Sequence, residues 1–315
     1  MAVGFFTNFN QTMKKKLLVI AGPTAVGKTA VSIEVARHFT TEILSADSRQ
    51  CYRELCIGVA RPSEEELAAV PHHFIASHSV HDALTAAWYE QYALDVSERI
   101  FQKNDMLVLT GGTGLYIKAF CEGLDAIPAV PQDLRSFLQK EYGEKGIKWL
   151  REQLDLKDPL FAAKGEMQNP QRMLRALEVA TATGQSILSF RTGKKAERPF
   201  QIIHVGLDLP RQELYERINQ RVDHMIRHGL TDEVQALTAF RHLNALQTVG
   251  YKELFDCFAG AFTQEEAISL IKQNTRHYAK RQLTWFRKQE SYEWFRPDQV
   301  KQILHYLEEK IKTPA

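Results

Sequence analysis

The sequence predicts an α/β fold in which a parallel sheet is interrupted by a helical segment. Three observations support this. Short apolar runs alternate with helical patterns up to residue 122, strand signals stop between Gly123 and Pro199, and a further strand signal follows at residues 201–207. Strands that alternate with helices are typical of parallel sheets with right-handed crossovers.

The strand signals are short apolar runs bounded by turn residues. The first, at residues 17–21, is continuously apolar, which is typical of a strand covered on both faces. Further strands are predicted at residues 43–46, 106–110 and 201–207, and a short apolar stretch lies at residues 292–295. Helical spacing predicts helices over residues 29–39, 83–101, 115–121, 212–227, 232–241 and 264–287.

This change of pattern divides the chain of 315 residues. We expect a core domain from residues 14–122 and 200–315, and a helical insertion domain at residues 123–199. Residues 1–13 are expected to form a disordered extension.

Composition excludes several classes of protein. The formal net charge of +2 is too small to indicate a nucleic-acid binder, so any basic surface must be local. The four cysteines lack C-x-x-C spacing, as expected in a reducing compartment such as the cytoplasm. No apolar run approaches the roughly 18 residues that a membrane span needs. Residues 1–11 carry no basic residue, and we expect no signal peptide there.

The first strand leads directly into a phosphate-binding loop. Its residues fit G-x-x-x-x-G-K-[ST], with glycines that turn backbone N–H groups inward and a helix that presents its positive end. The lysine adds a mobile charge, and the threonine hydroxyl is a ligand for Mg²⁺. The loop consists of Gly22, Pro23, Thr24, Ala25, Val26, Gly27, Lys28 and Thr29. This P-loop motif does not identify its ligand, and by itself it favours an NTPase or a kinase.

The second and third strands end in polar residues beside this loop. Asp47 follows the second strand, where open parallel sheets place ligands. It could be a metal ligand, a general base or an aspartate that caps the next turn. The third strand ends in GGTG, where glycines allow close approach of a ligand and Thr113 offers a hydroxyl; a tight strand-to-helix turn is an equal interpretation.

Histidines and basic residues raise two further hypotheses. His72, His73, His78 and His81 lack zinc-site spacing, so Mg²⁺ carried by phosphates is the expected metal. The segments NPQRMLRALEV and IKQNTRHYAKRQLTWFRK are locally basic, and the second interleaves aromatic residues. In the second segment, the combination of basic and aromatic side chains is suited to binding an RNA backbone and its unstacked bases. It is equally typical of an amphipathic helix with an apolar core face.

Nine motifs occur in order and together resemble one family. They are GPTAVGKT, ILSADSRQCYR, IGVARP, VPHHFI, GGTGLY, QRMLRALEV, RINQRVDHMIRHGL, VGYKEL and TRHYAKRQLTWFR. In this combination, residues 17–295 closely resemble bacterial tRNA dimethylallyltransferases, the tRNA isopentenyltransferase (IPP transferase) family.

The resemblance implies a reaction and its partners. A dimethylallyl group would pass from dimethylallyl diphosphate to N6 of the adenine at tRNA position 37, 3′ of the anticodon. It further implies a P-loop NTPase-like core that uses Mg²⁺, and a helical insertion that embraces the anticodon stem-loop. We expect a cytoplasmic monomer that does not bind membranes.

The resemblance also implies roles for single residues. Asp47 would take the N6 proton, and Thr113 would contact the reacting adenosine. Residues 22–29 and Arg221 would bind the diphosphate, with Thr29 at the metal. Arg135 is placed only by its spacing after Thr113. The implied tRNA contacts are Asp47, Ser48, Arg49, Gln50, Thr113, Arg135, Gln171, Arg172, Met173, Leu174 and Arg175.

Two places in the sequence depart from the family pattern. Pro170 stands where the family usually carries an acid, and residues 77–93 fit the pattern poorly.

Three rival functions are to be tested. They are a P-loop kinase for small molecules or nucleosides, an RNA-binding switch that uses nucleotide only as a ligand, and a transferase that prenylates free adenine nucleotides.

Overall fold

The computed structural model describes residues 15–313, which form two compact units. The core unit comprises residues 15–122 and 197–313, and the helical unit comprises residues 123–196. The extension predicted at residues 1–13 lies outside the described residues, as do residues 14, 314 and 315.

The core unit contains a six-stranded sheet in which all neighbouring strands are parallel. Its strands are β1 (Lys16–Ala21), β2 (Ile43–Ser45), β3 (His72–His73), β4 (Met106–Gly111), β5 (Gln201–Leu207) and β6 (Tyr292–Phe295). Their spatial order is β3-β2-β4-β1-β5-β6, so β1 is central. The predicted α/β class and parallel sheet are therefore confirmed.

Twelve α-helices occur in the described residues. In chain order they are α1 (Lys28–His38), α2 (Glu64–Ala69), α3 (Ala86–Phe101), α4 (Gly114–Glu122), α5 (Gln132–Lys157), α6 (Pro159–Lys164), α7 (Pro170–Thr183), α8 (Arg211–Arg227), α9 (Leu230–Ala236), α10 (Tyr251–Phe258), α11 (Gln264–Arg287) and α12 (Val300–Lys312). None of these described helices is both long and apolar enough to cross a bilayer.

The side chains of β1 alternate between two apolar cores. Leu17 and Val19 belong to the core on one face of the sheet, and Leu18 and Ile20 belong to the core on the other. All four are fully buried, and the alternation follows from the two-residue period of a strand. The apolar run at residues 17–21 is therefore continuous because both faces of β1 are buried, as the sequence predicts.

The carboxyl ends of three strands meet at one edge of the sheet. Ala21 at the end of β1 pairs with Gly111 at the end of β4, and Ser45 of β2 pairs with Thr110. A side chain on Gly111 would put its Cβ 2.3 Å from the carbonyl oxygen of Ala46, so only glycine fits there. This close packing brings the loops after β1, β2 and β4 together.

The helical unit contains α5, α6 and α7 around its own apolar core. Asp158 is buried and caps α6 by accepting a hydrogen bond from the backbone N–H of Phe161 at 2.9 Å. Asn169 caps α7, and Pro170 occupies the first helical position, where a missing N–H costs nothing. The departure at Pro170 therefore leaves an ordinary helix start.

Several elements differ from their predicted forms. The helix predicted at residues 232–241 is the shorter α9, followed by a 3₁₀ turn at Thr238–Phe240. The strand β3 and the helices α2, α10 and α12 were not predicted. The helix α2 buries none of its residues and starts from a capping box of Ser63 and Glu66, so it shows no apolar periodicity. In α12, the buried Ile303 and Leu307 have the i, i+4 spacing of a helix, which is the signal from which this helix can be predicted.

Candidate active site

The P-loop joins β1 directly to α1. Gly27 has φ +106° and immediately precedes α1, a conformation that disfavours side chains. Gly22 is required by space, because an added Cβ would lie 2.6 Å from the carbonyl oxygen of Leu207. The two fixed glycines of the motif thus have separate causes, one conformational and one steric.

Lys28 lies in a partly buried, charged setting at the start of α1. Its ammonium donates a hydrogen bond to the carbonyl oxygen of Pro23 at 2.8 Å. Burial lowers the pKa of Lys28 to about 8, Asp47 opposes that shift, and Arg221 adds to it. An anion in the loop would restore the charge that burial disfavours.

Arg221 of α8 reaches the same loop. Its guanidinium donates a hydrogen bond to the hydroxyl of Thr24 at 3.1 Å. Burial lowers the pKa of Arg221, and the nearby carboxylate of Asp47 raises it again. The structure thus places Arg221, for which the resemblance implies a diphosphate contact, beside the P-loop.

Gln282 of α11 connects two of the site loops. Its side-chain oxygen accepts a hydrogen bond from the N–H of Thr24 at 2.9 Å, and its amide nitrogen donates one to the carbonyl oxygen of Gly112 at 2.9 Å. Gly112 leaves room for this contact, because an added Cβ would lie 2.3 Å from the amide nitrogen of Gln282. The glycine turn after β4 is therefore shaped by a buried amide.

Asp47 uses one carboxylate oxygen to cap the turn that follows it. Oδ1 accepts hydrogen bonds from the N–H groups of Arg49 at 2.9 Å and Gln50 at 3.2 Å. Oδ2 has no hydrogen-bond partner among residues 15–313. The capping role left open by the sequence is present, and it leaves the second oxygen for a ligand.

Thr113 is held beside Asp47 through Ser48. The Thr113 hydroxyl accepts a hydrogen bond from the N–H of Ser48 at 3.1 Å and donates one to the Ser48 hydroxyl at 3.3 Å. The phenol of Tyr278 lies next to Thr113, and burial raises the pKa of Tyr278 to about 12, so the phenol stays protonated at neutral pH. Thr113 and Ser48 thus join the ends of β4 and β2.

Gln50 has a structural use that the sequence did not reveal. Its amide nitrogen donates to the carbonyl oxygens of Val59 at 3.2 Å and Ala60 at 2.8 Å. The amide N–H groups of Gln50 therefore donate to the protein backbone and are not directed at a ligand.

Two cavities in the core unit share Asp47, Arg221 and Tyr278 as lining residues. The P-loop cavity has a volume of about 430 Å³ and is also lined by Lys28 and Thr29. The adjoining cavity has a volume of about 510 Å³. Part of its wall is apolar, formed by Val222, Met225, Leu230, Val249 and Ile271. An anion site and an apolar space therefore meet at one carboxylate.

The P-loop cavity suits a hard cation that arrives with a phosphate ligand. Thr29, Ser45 and Asp47 supply oxygen atoms of the kind that Mg²⁺ prefers. Within residues 15–313 there is no group of three or more His, Cys, Asp or Glu side chains that could hold a metal alone. His73 instead pairs with Glu42 at 2.6 Å, and His72 contacts the carbonyl oxygen of Val70.

In the helical unit, Arg135 and Arg175 converge on one buried carboxylate. Glu178 is 4 % exposed, and it lies 3.4 Å from Nε of Arg135 and 3.2 Å from Nη1 of Arg175. Arg135 and Arg175 therefore lie side by side, although they are 40 residues apart in the chain. Arg172 pairs with Glu166, and Gln171 is exposed near the start of α7.

Two predicted tRNA contacts lie in the core of the helical unit instead. Met173 and Leu174 are 0 % and 4 % exposed and belong to its apolar cluster. Their side chains stabilise α7 from within. The apolar spacing of QRMLRALEV carried this signal, because positions 173, 174 and 177 share one helix face.

Comparisons with known proteins agree with this geometry. A family model described as IPP transferase matches residues 50–289. The chain belongs to the IPP transferase family. It is 49% identical over 302 residues to a tRNA dimethylallyltransferase of Christiangramia forsetii, an alignment that covers 96% of this chain and 100% of that protein. It is 43% identical to a tRNA dimethylallyltransferase of Cytophaga hutchinsonii, covering 95% and 99% of the two chains.

A solved member of the IPP transferase family shares the fold. The crystal structure of the tRNA isopentenylpyrophosphate transferase of Bacillus halodurans superposes with a TM-score of 0.71 and 35% identity. The match covers 95% of this chain and 97% of that one. Family membership and the P-loop-like core are thus established together.

Proposed function

We propose that this protein transfers a dimethylallyl group from dimethylallyl diphosphate to N6 of the adenine at tRNA position 37. The products are N6-(dimethylallyl)adenosine and diphosphate. The observation that carries the proposal is the meeting of an anion-binding loop, a carboxylate with an unpaired oxygen and an apolar cavity. A kinase is not favoured, since the relatives at 49% and 43% identity are tRNA dimethylallyltransferases.

The diphosphate would occupy the P-loop cavity. Lys28 and Arg221 line it and supply two positive charges for the leaving group. The hydroxyl of Thr29 would help to hold a Mg²⁺ ion that arrives with the diphosphate, and the ion would supply further positive charge to the leaving group. The apolar wall of the adjoining cavity would receive the prenyl chain.

Asp47 would act as the base. An exocyclic amine is a weak nucleophile, because its lone pair is delocalised into the ring. As the N6–C1 bond forms, the electron pair of the C1–O bond leaves with the diphosphate, and the N6 proton passes to Oδ2 of Asp47. Ser48 and Thr113 would contact the adenosine, together with Arg49, which lines the adjoining cavity.

The helical unit would bind the anticodon stem-loop. Arg135, Gln171, Arg172 and Arg175 are the residues we propose for contacts with the RNA backbone. The target adenine must leave the loop stack to be alkylated, which costs a few kcal/mol that backbone contacts offset. We place the reaction in the cytoplasm, carried out by a monomer.

Labelled dimethylallyl diphosphate, Mg²⁺ and an unmodified tRNA with adenine at position 37 test the proposal. We expect label in the RNA, and none in the same tRNA with guanine at position 37. AMP as acceptor and γ-labelled ATP as donor distinguish the nucleotide prenyltransferase and the kinase. An RNA that stays unlabelled while ATP donates its phosphoryl group would contradict the proposal.

Asp47→Asn tests the base without removing the turn cap, because an asparagine oxygen can still accept from residues 49 and 50. We expect the transfer rate to fall about 10²–10⁴-fold, the usual range for losing a general base. The dissociation constant for tRNA should change little. A loss of tRNA affinity as large as the loss of rate would assign Asp47 to binding instead.

A further inference from the structure

One wall of the adjoining cavity is an irregular segment. We call residues 56–60 the wall segment; its residues Gly58, Val59 and Ala60 line the adjoining cavity, and the last two also line the P-loop cavity. The segment lies outside the helices and strands. Its position must therefore be set by contacts with other parts of the core unit.

The carboxylate of Glu233 on α9 holds this segment. Oε2 accepts hydrogen bonds from the N–H groups of Cys56 at 3.0 Å and Ile57 at 2.8 Å. Oε1 accepts from the N–H of Gly58 at 3.0 Å and from the phenol of Tyr251 at 2.5 Å. Four donors thus converge on one charged group, and hydrogen bonds to an ionised acceptor are about twice as strong as neutral ones.

Tyr251 also limits the wall segment sterically. The tyrosine is fully buried, and an added Cβ on Gly58 would lie 2.5 Å from its ring. The backbone of the segment is therefore in direct contact with α10, with no space for a side chain between them.

The other end of the wall segment, at Val59 and Ala60, is linked through Gln50 to Asp47, the proposed base. Gln50 donates to the carbonyl oxygens of Val59 and Ala60, and its own N–H donates to Asp47. Hydrogen bonds thus hold the wall segment at both ends, to Glu233 at residues 56–58 and to Gln50, in the turn that Asp47 caps, at residues 59–60.

The helix α9 contributes to the apolar wall of the adjoining cavity and also contacts the wall segment. Leu230, its first residue, belongs to the apolar wall, and Glu233, one turn later, holds the wall segment. The carboxylate of Glu233 therefore links the wall segment to the helix that carries part of the apolar wall.

We propose that Glu233 is a positioning residue that sets the width of the adjoining cavity and thereby the length of prenyl donor that the enzyme accepts. This inference rests on the proposed function. Glu233 does not itself line the cavity among the described residues, and it acts through the wall segment. Without its carboxylate, three backbone N–H groups lose their acceptor, and the segment can move outward.

The test compares dimethylallyl diphosphate with the longer geranyl diphosphate as donors to tRNA. In Glu233→Gln the amide has one acceptor oxygen, and its NH₂ group faces the N–H donors of the segment. We expect the ratio of kcat/KM for the short donor over the long one to fall about tenfold, the scale on which apolar pockets discriminate by size. Asp232→Asn, an exposed neighbour on α9, is the matched control and should keep the wild-type ratio.

Two further variants approach the wall from the other side. Gly58→Ala would push the segment away from Tyr251 and should lower the same ratio. Tyr251→Phe removes one of the four hydrogen bonds but keeps the ring, so its change should be smaller than that of Glu233→Gln. Melting temperatures and tRNA affinities, measured in parallel, separate this effect from unfolding.

The outcomes separate the two proposals. A wild-type protein that transfers no dimethylallyl group would overturn the proposed function. A wild-type protein that does so, with Glu233→Gln and Gly58→Ala slowing both donors equally, would overturn the role of Glu233 in donor selection.

Discussion

At the scale of single residues, the site depends on charges held in partly buried positions. Lys28 contacts the carbonyl oxygen of Pro23, while Asp47 and Arg221 act on its pKa in opposite directions. In the free protein, the ammonium therefore loses its proton at a lower pH than an ordinary lysine does. A bound diphosphate would stabilise the charged form, since two anionic groups favour a nearby ammonium.

This charge predicts the pH dependence of donor use. The pKa of Lys28 is lowered to about 8, so the ammonium is charged below that pH and neutral above it. Because kcat/KM reports the free enzyme, kcat/KM for dimethylallyl diphosphate should fall as the pH rises through about 8. In Lys28→Arg, the guanidinium stays charged over this range, and the decline should disappear. A decline at the same pH in both proteins would assign it to another group.

At the scale of secondary structure elements, α11 organises the loops of the site. Gln282 joins the P-loop to the turn after β4, and Tyr278 lies next to Thr113. Trp285 packs against that turn, because an added Cβ on Gly114 would lie 2.1 Å from its ring nitrogen. The basic, aromatic helix also has the apolar core face that the sequence allowed, formed by Ile271, Ala279 and Phe286.

Gln282→Met should uncouple the P-loop from the glycine turn. The substitution nearly keeps the volume but leaves the N–H of Thr24 and the carbonyl of Gly112 without a partner, which costs about 1–3 kcal/mol for a buried polar group. We expect a lower melting temperature and a lower kcat/KM for the donor, while tRNA affinity is kept. Gln273→Met, at an exposed position on the same helix, is the control. Equal behaviour of the two variants would show that the bridge is dispensable.

At the scale of the whole molecule, a net charge of +2 means that contacts with RNA must depend on local groups of arginines. Arg135 and Arg175 share the buried Glu178, and Arg172 pairs with Glu166. The buried carboxylate of Glu178 holds Arg135 and Arg175 in place before any ligand arrives, which reduces the side-chain entropy lost on binding.

Arg172→Ala combined with Arg175→Ala should weaken tRNA binding. Each phosphate contact contributes close to one unit to the slope of log K against log salt, so the slope should decrease by about 1–2. Affinity measured across a salt series gives this slope directly. Arg151→Ala, an exposed arginine of the same helical unit, should leave the slope unchanged. A double variant with the wild-type slope would remove both arginines from the RNA interface.

The sequence alone determined the fold class, the P-loop and the family. These follow from local patterns: apolar runs for buried strands, glycine and lysine spacing for the loop, and motifs that occur in a fixed order. The tertiary structure decided what contacts between distant residues determine. Gln282 bridges to Thr24, Glu178 pairs with Arg135, and Glu233 holds the wall segment, each across a separation that leaves no periodic trace in the chain. For Met173 and Leu174, the apolar spacing of α7 indicated a buried helix face, and the tertiary structure showed what that face packs against, because burial depends on which helix faces meet.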